Sequence, residues 1–319
     1  MVPGMLVPGL LILLACLILF VGAELLVRGG ASIAIKLGLT PLVVGLTVVA
    51  FGTSAPELLV SLKASFSGQS DIAVGNVVGS NIFNIAVILG LSAVVFPVTT
   101  HLQVLRWDAP VLLGVTILTP LTFLDGSISR LEGGILALGA VAYTVWAVRM
   151  AKKDLARGEE VDIDLPEVNP AAGIGGDVLK IAGGLGILVL GSRLLVDNSV
   201  IVAKSLGVSE AIIGLTIVAA GTSMPELATS VVAAFRKQSD IALGNVLGSS
   251  LFNLLFVLGC SASIRPLITT GLHRVDLIAM IGITVLMVPL IATGQRLNRW
   301  EGLLLFLCYI GYLGVMWPK

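Results

Sequence analysis

One block of this sequence is written twice, at a constant offset of 169 residues, and each copy sets a single glutamate inside an otherwise apolar stretch. The first copy reads GLTVVAFGTSAPEL from Gly45 to Leu58, and the second reads GLTIVAAGTSMPEL from Gly214 to Leu227. Each runs on into a second block, SDIAVGNVVGSNIFN (Ser70 to Asn84) and SDIALGNVLGSSLFN (Ser239 to Asn253). From Gly45 to Pro97 the offset holds without a gap, and 31 of 53 positions are identical. An acid in lipid costs free energy, so Glu57 and Glu226 at equivalent repeat positions point to one paired ion site.

The medium is set by composition. The 319 residues are 56% hydrophobic and 12% charged, with a mean hydropathy of +1.05. A soluble domain carries about twice that charged fraction. Most segments between polar breaks are apolar for about 20 residues or more, enough to span a bilayer at ~1.5 Å per residue. The chain is therefore expected to be an all-α polytopic membrane protein whose surroundings are the lipid bilayer. Zero net charge gives no indication of a nucleic-acid partner. No basic region precedes the first apolar run, which reads as a retained helix. Cys16, Cys260 and Cys308 all fall in apolar segments and read as small buried hydrophobes.

Ten transmembrane helices are expected, over 5–33, 40–66, 71–96, 104–124, 130–150, 177–205, 209–235, 240–264, 272–292 and 299–317. A charged stretch, 151–176, separates a first five-helix repeat (1–150) from a second (177–319). The offset of 169 also aligns Gly22–Val27 with Gly191–Val196, and Arg130–Gly133 with Arg299–Gly302, so each half is one unit. An odd number of crossings makes the second unit enter from the opposite side, which gives an inverted repeat. Placing both termini outside puts 12 Lys and Arg residues on the inner side and six on the outer. That bias orients the central linker to the cytoplasm. The chain shows neither a long soluble domain nor an organelle signal, which points to a prokaryotic inner membrane.

In Gly52-Thr53-Ser54-Ala55-Pro56-Glu57, Pro56 has no N–H to offer the Gly52 carbonyl, and the kink strains the Thr53 carbonyl. Freed carbonyls at membrane depth must face protein, water or an ion. Glu57 lies four residues after Thr53, on the same face. The motif therefore aims a carboxylate and bare carbonyl oxygens one way, and Gly221 to Glu226 does so again from the other side. In the second block, Asn76, Ser80 and Asn84 form an i, i+4, i+8 stripe, as do Asn245, Ser249 and Asn253. Gly75 and Gly79, like Gly244 and Gly248, allow close helix approach. All these ligands are oxygens, which suits a hard cation. Calcium takes six to eight oxygens. Two bidentate glutamates with the carbonyls of Thr53 and Thr222 reach six. Two Na⁺ or two protons would neutralise the same pair of charges, and a third Na⁺ could use the Ser, Asn and carbonyl oxygens.

The pair GTSxPE and GNxxGSxxFN, present twice with five helices per half, closely resembles the two alpha-repeats of the sodium/calcium exchanger family, within the cation/calcium exchanger superfamily. The resemblance covers nearly the whole chain. It implies a secondary active antiporter that exchanges Ca²⁺ for Na⁺ by alternating access. By the same resemblance, Glu57, Glu226, Thr53 and Thr222 would bind Ca²⁺. Ala50, Ser54, Ser80, Ala219, Ser223 and Ser249 would join the two glutamates in flanking Na⁺ sites, with Asn84 and Asn253 at the centre. Some relatives carry Asp at one of these asparagines; this chain has Asn at both and lacks a third central carboxylate.

Other readings compete. A Ca²⁺/H⁺ antiporter on the same scaffold needs only the two carboxylates, and the polar stripes favour sodium over it. A channel would need an open filter rather than two occluding half-sites. An intramembrane protease could use two acids, but acids following a proline in a carbonyl-rich break suit coordination, so a transporter rather than an enzyme is expected. Asn76 and Asn245 read equally as ligands or as interhelical glue. Glu24 and Arg193 read as gating or interfacial residues, with snorkelling the favoured alternative. Asp71 and Asp240 are expected to cap helices, and His101 and His273 to be solvated loop residues. The acidic run Glu159, Glu160, Asp162, Asp164 and Glu167 lacks the spacing of a calcium loop and reads as a solvated connector.

Overall fold

A computed structural model describes residues 6–123, 125–156, 173–206, 219–269 and 273–316. In chain order the helices of the first half are α1 (Leu6–Leu37), α2 (Pro41–Thr53), α3 (Ala55–Phe66), α4 (Ser70–Val95), α5 (Val104–Phe123) and α6 (Arg130–Ala156). The second half contributes α7 (Gly175–Ser205), α8 (Ala219–Gly221), α9 (Met224–Phe235), α10 (Ser239–Ile264), α11 (Arg274–Ala292) and α12 (Arg299–Met316). Among the described residues, eight helices are long and apolar enough to cross a membrane, and the bent pair α2–α3 makes a ninth span. The expected helix 209–235 falls partly outside the described residues; α8 and α9 are its described part. The acidic residues of the linker also lie outside them.

Local chemistry explains the helix ends. Thr40 accepts from the Val43 N–H at 3.3 Å and Pro41 occupies the first turn of α2, where its missing N–H costs nothing. α2 stops at Thr53 because Pro56 cannot extend its ladder, and α3 leaves at 46°. Ser54 sits between them at φ −81°, ψ 6°, and Ser223 takes φ −88°, ψ 8° in the second copy. α6 runs past its expected end, so residues 151–156 are helical rather than linker. Lys152 and Lys153 there favour the negative end of the helix dipole.

α4 and α10 form the hub: 83% and 89% of the residues in their apolar windows are buried, against 33% or less for the other six single-helix spans. On the outside, Leu10, Leu13, Leu17 and Phe20 of α1 project away from the protein, an apolar surface that belongs in lipid. Cys16 lies on that same face, exposed rather than buried as expected, and all three cysteines are free. α1 and α7 run antiparallel in close contact, with Gly22 against Gly184 and Gly29 against Asp177 and Ile181. Their ends are tied by Lys36, which donates to Asp177 with both side chains buried.

Four two-residue strands report the topology. β1 (Val98–Thr99) pairs antiparallel with β4 (Arg296–Leu297), and β2 (Ser127–Ile128) with β3 (Leu267–Ile268). Both ladders join one half of the chain to the other. A ladder requires an even number of crossings between its strands. Between β2 and β3, α6, α7 and α10 supply three, and α9 belongs to the fourth. β1 and β3, equivalent at the 169-residue offset, then lie at opposite faces, as an inverted repeat demands. The chain is an all-α polytopic membrane protein of two inverted five-helix repeats.

Candidate ion-binding site

The two breaks, Thr53–Ser54 and Thr222–Ser223, meet beside the hub helices. α2 reaches α10 closely because α10 has no side chain at the crossing: a Cβ on Gly248 would stand 2.5 Å from the Leu46 carbonyl oxygen, and one on Gly244 2.6 Å from that of Leu42. The glutamates following each break are then buried, Glu57 at 0% and Glu226 at 1% exposure.

Each carboxylate is held by the other repeat. Ser223 Oγ donates to Glu57 Oε1 at 2.8 Å, and Ser54 Oγ donates to Glu226 Oε1 at 2.9 Å. Among the described residues neither carboxylate forms an ion pair, and no cluster of three or more His, Cys, Asp or Glu exists. Glu57 Oε2, Glu226 Oε2, both amide atoms of Asn84 and of Asn253, Ser249 Oγ and Thr222 Oγ1 are buried without a hydrogen-bond partner. Buried polar groups are ordinarily satisfied, and an ionised carboxylate in a dry interior is far costlier than a neutral group. Two unpaired acids among unsatisfied oxygens make a site that cations or protons must neutralise.

Asn84 and Asn253 each open a π-helical turn, Asn84–Leu89 and Asn253–Val257. Such turns interrupt the regular ladder at functional positions in many helices. Ser80 Oγ lies 3.3 Å from Ser223 Oγ, which brings the first repeat's stripe to the second repeat's break. Thr53 Oγ1 donates to Asn245 Oδ1 at 3.0 Å. Ala50 opens the last turn of α2, where its carbonyl accepts from the Ser54 N–H at 3.0 Å, and Ala219 lies in α8.

Several residues stand differently from expectation. Asn76 and Asn245 act as glue: Asn76 Nδ2 donates to the Glu57 carbonyl (3.2 Å) and Ser61 Oγ (2.9 Å), and Asn245 Nδ2 to the Glu226 carbonyl (3.3 Å) and Ser230 Oγ (2.9 Å). Ser61 and Ser230 are supports that sequence reasoning passed over, although they share the repeat offset. Glu24 does not snorkel alone; it pairs with Arg28 at 2.6 Å and with Arg236 at 2.7 Å, tying α1 to the end of α9. Asp240 stands in the first turn of α10, where the helix dipole favours an acid, and it also lies 3.0 Å from His101 Nε2, so His101 is not merely solvated. A second acid pattern also went unnoticed: Tyr143 donates to Asp108 and Tyr312 to Asp276, each at 2.8 Å. Tyr143 and Tyr312 share the offset of 169.

Inverted five-helix repeats enclosing an oxygen-lined pair of unpaired carboxylates define a membrane transporter of cations, not an enzyme. The chain belongs to the sodium/calcium exchanger protein family, whose model matches residues 7–149 and 177–317. It is 32% identical over 341 aligned positions to the sodium/calcium exchanger MaX1 of Methanosarcina acetivorans, covering 96% of this chain and 97% of that one. It is 38% identical over 264 positions to the inner membrane protein YrbG of Escherichia coli, covering 82% and 81%. The fold matches a solved structure of the sodium-calcium exchanger NCX_Mj with a TM-score of 0.83 at 29% identity, over 98% of this chain and 99% of that one. The protein is a cation/calcium exchanger transporter.

Proposed function

We propose that this transporter exchanges Ca²⁺ for Na⁺ by alternating access. The carrying observation is the reciprocal hold of Glu57 by Ser223 and of Glu226 by Ser54, which leaves one oxygen of each carboxylate unpartnered. Glu57 and Glu226, with the carbonyls of Thr53 and Thr222, hold the divalent ion. Ala50, Ser54, Ser80, Asn84, Ala219, Ser223, Ser249 and Asn253 join the glutamates in holding Na⁺. Two negative charges balance one Ca²⁺ or two Na⁺, and the hydroxyl and amide oxygens suit a further monovalent ion. MaX1 and NCX_Mj, both sodium/calcium exchangers, support this ion pair.

The repeats, 1–150 and 177–319, act as the two working halves, joined by the connector within 151–176, whose residues 151–156 continue α6. Both termini face outward and the connector faces the cytoplasm, on the strength of the Lys and Arg distribution. YrbG, an inner membrane protein, supports a prokaryotic inner membrane.

The test loads purified protein into Na⁺-filled liposomes and follows ⁴⁵Ca²⁺ uptake as outside Na⁺ is removed, with a proton ionophore present. Uptake should require the Na⁺ gradient and disappear in Glu57→Gln. Uptake that ignores Na⁺ and follows an imposed pH gradient without the ionophore would assign the protein to Ca²⁺/H⁺ exchange instead.

A further inference from the structure

The two halves of the site are chemically equivalent but are not bonded alike. Where the first repeat's break meets α10, there are two rungs a helical turn apart. Thr53 Oγ1 reaches Asn245 Oδ1 at 3.0 Å, so the asparagine rung is closed. The serine rung is open, since Ser249 Oγ is buried without a partner. Where the second repeat's break meets α4, the pattern reverses. Ser223 and Ser80 hydroxyls lie 3.3 Å apart, so the serine rung is closed. Thr222 Oγ1, the counterpart of Thr53, is buried without a partner, so the asparagine rung is open. Each break thus makes one of two available contacts, and the two breaks make opposite ones.

A protein of inverted repeats has two conformations in which the halves exchange roles. We propose that these four rungs are a reciprocal latch: one access state closes Thr53–Asn245 with Ser223–Ser80, and the other closes Thr222–Asn76 with Ser54–Ser249. Asn76 and Asn245 are then positioning residues. Each anchors its own repeat's glutamate through the backbone carbonyl and, in one state only, holds the opposite repeat's threonine hydroxyl. The unpartnered hydroxyls of Thr222 and Ser249 are the bonds of the other state. This inference rests on the alternating-access reading.

The latch fixes the sign of four substitutions. Thr53→Val keeps the shape and the backbone carbonyl but removes a rung of the state seen here, and Ser80→Ala removes the other rung of that state. Thr222→Val and Ser249→Ala remove rungs of the opposite state. Loss of one hydrogen bond shifts a two-state population by about five-fold. The readout is Ca²⁺/Ca²⁺ exchange, which needs no Na⁺, in right-side-out and everted membrane vesicles. The ratio of apparent KM values at the two faces reports the population, whereas a loss of intrinsic affinity moves both faces alike.

Thr53→Val and Ser80→Ala should shift that ratio about five-fold one way, Thr222→Val and Ser249→Ala about five-fold the other, and Thr53→Ser should restore the wild-type ratio. Either member of a pair suffices if the other fails to accumulate. Shifts of one sign in all four, or an unchanged ratio, overturn the latch while leaving the transporter reading intact. Absence of Ca²⁺/Ca²⁺ exchange in the wild type overturns the calcium reading itself, and the latch with it.

Discussion

Ser54 and Ser223 each give their one hydroxyl proton to a carboxylate that belongs to the other repeat. A hydrogen bond to a charged group contributes roughly 1.5–3 kcal/mol, so Ser54→Ala or Ser223→Ala should raise the apparent KM for Ca²⁺ about ten-fold or more in the vesicle assay. Ser54 and Ser223 belong to rungs of opposite states, so the two losses shift the two faces in opposite senses; averaged over both faces their effects should be of similar size, and a ten-fold disparity in that average would contradict an equal share in one site. His101 offers a different test. Its hydrogen bond to Asp240 raises the imidazole pKa above the ordinary 6.5, against the lowering effect of partial burial. A raised folded-state pKa adds stability that is full below the unfolded pKa and fades as pH rises through the folded one. Melting temperatures of wild type and His101→Gln should therefore differ most below about pH 6.5 and converge in alkali. The glutamates, the serines of the breaks, Asn84 and Asn253 stand out in the sequence because duplication marks them twice. The His101–Asp240 contact does not, because it joins residues 139 positions apart that have no counterpart pair at the repeat offset.

At the scale of elements, the broken helices were legible because proline leaves a carbonyl without its donor. The π-helical turns at Asn84 and Asn253 were not, since one extra residue in a turn carries no compositional mark. The GxxxG spacing of Gly244 and Gly248 announced close approach but not its partner, which proved to be α2. A methyl group on Gly248 meets backbone on the facing helix and cannot be absorbed by a rotamer. Gly248→Ala should cost about 1–3 kcal/mol and lower the melting temperature. Gly9→Ala on α1 meets nothing within 4 Å and should be neutral or slightly stabilising. Equal effects of the two would remove the close-packing argument. The α1–α7 pair invites a further measurement. Asp177→Asn removes the counter-charge of the Lys36 ammonium, a loss of about 1.5–3 kcal/mol that a double-mutant cycle with Lys36→Met should largely recover.

Across the whole molecule, the inverted duplication was legible from the offset alone, whereas the strand ladders were not, since two residues between helices leave no periodicity to read. The halves are also joined by glycine contacts inside the bundle, Gly90 against Gly302 and Gly133 against Gly259. The interface between repeats therefore does not depend on the connector. Separately expressed halves, divided within 157–172, should co-purify and restore Ca²⁺ transport in vesicles, while either half alone should not transport. Failure of the halves to associate would assign the connector a structural role.

The ladders never join a strand to its own repeat counterpart. β1 pairs with β4, which is the counterpart of β2, and β3 pairs with β2. One five-helix unit consequently carries both complementary edges, one at each face of the bilayer. A half-length ancestor inserted in both orientations would meet an upside-down twin able to form the same two ladders. Gene fusion would then have fixed an arrangement that a dual-topology homodimer already possessed.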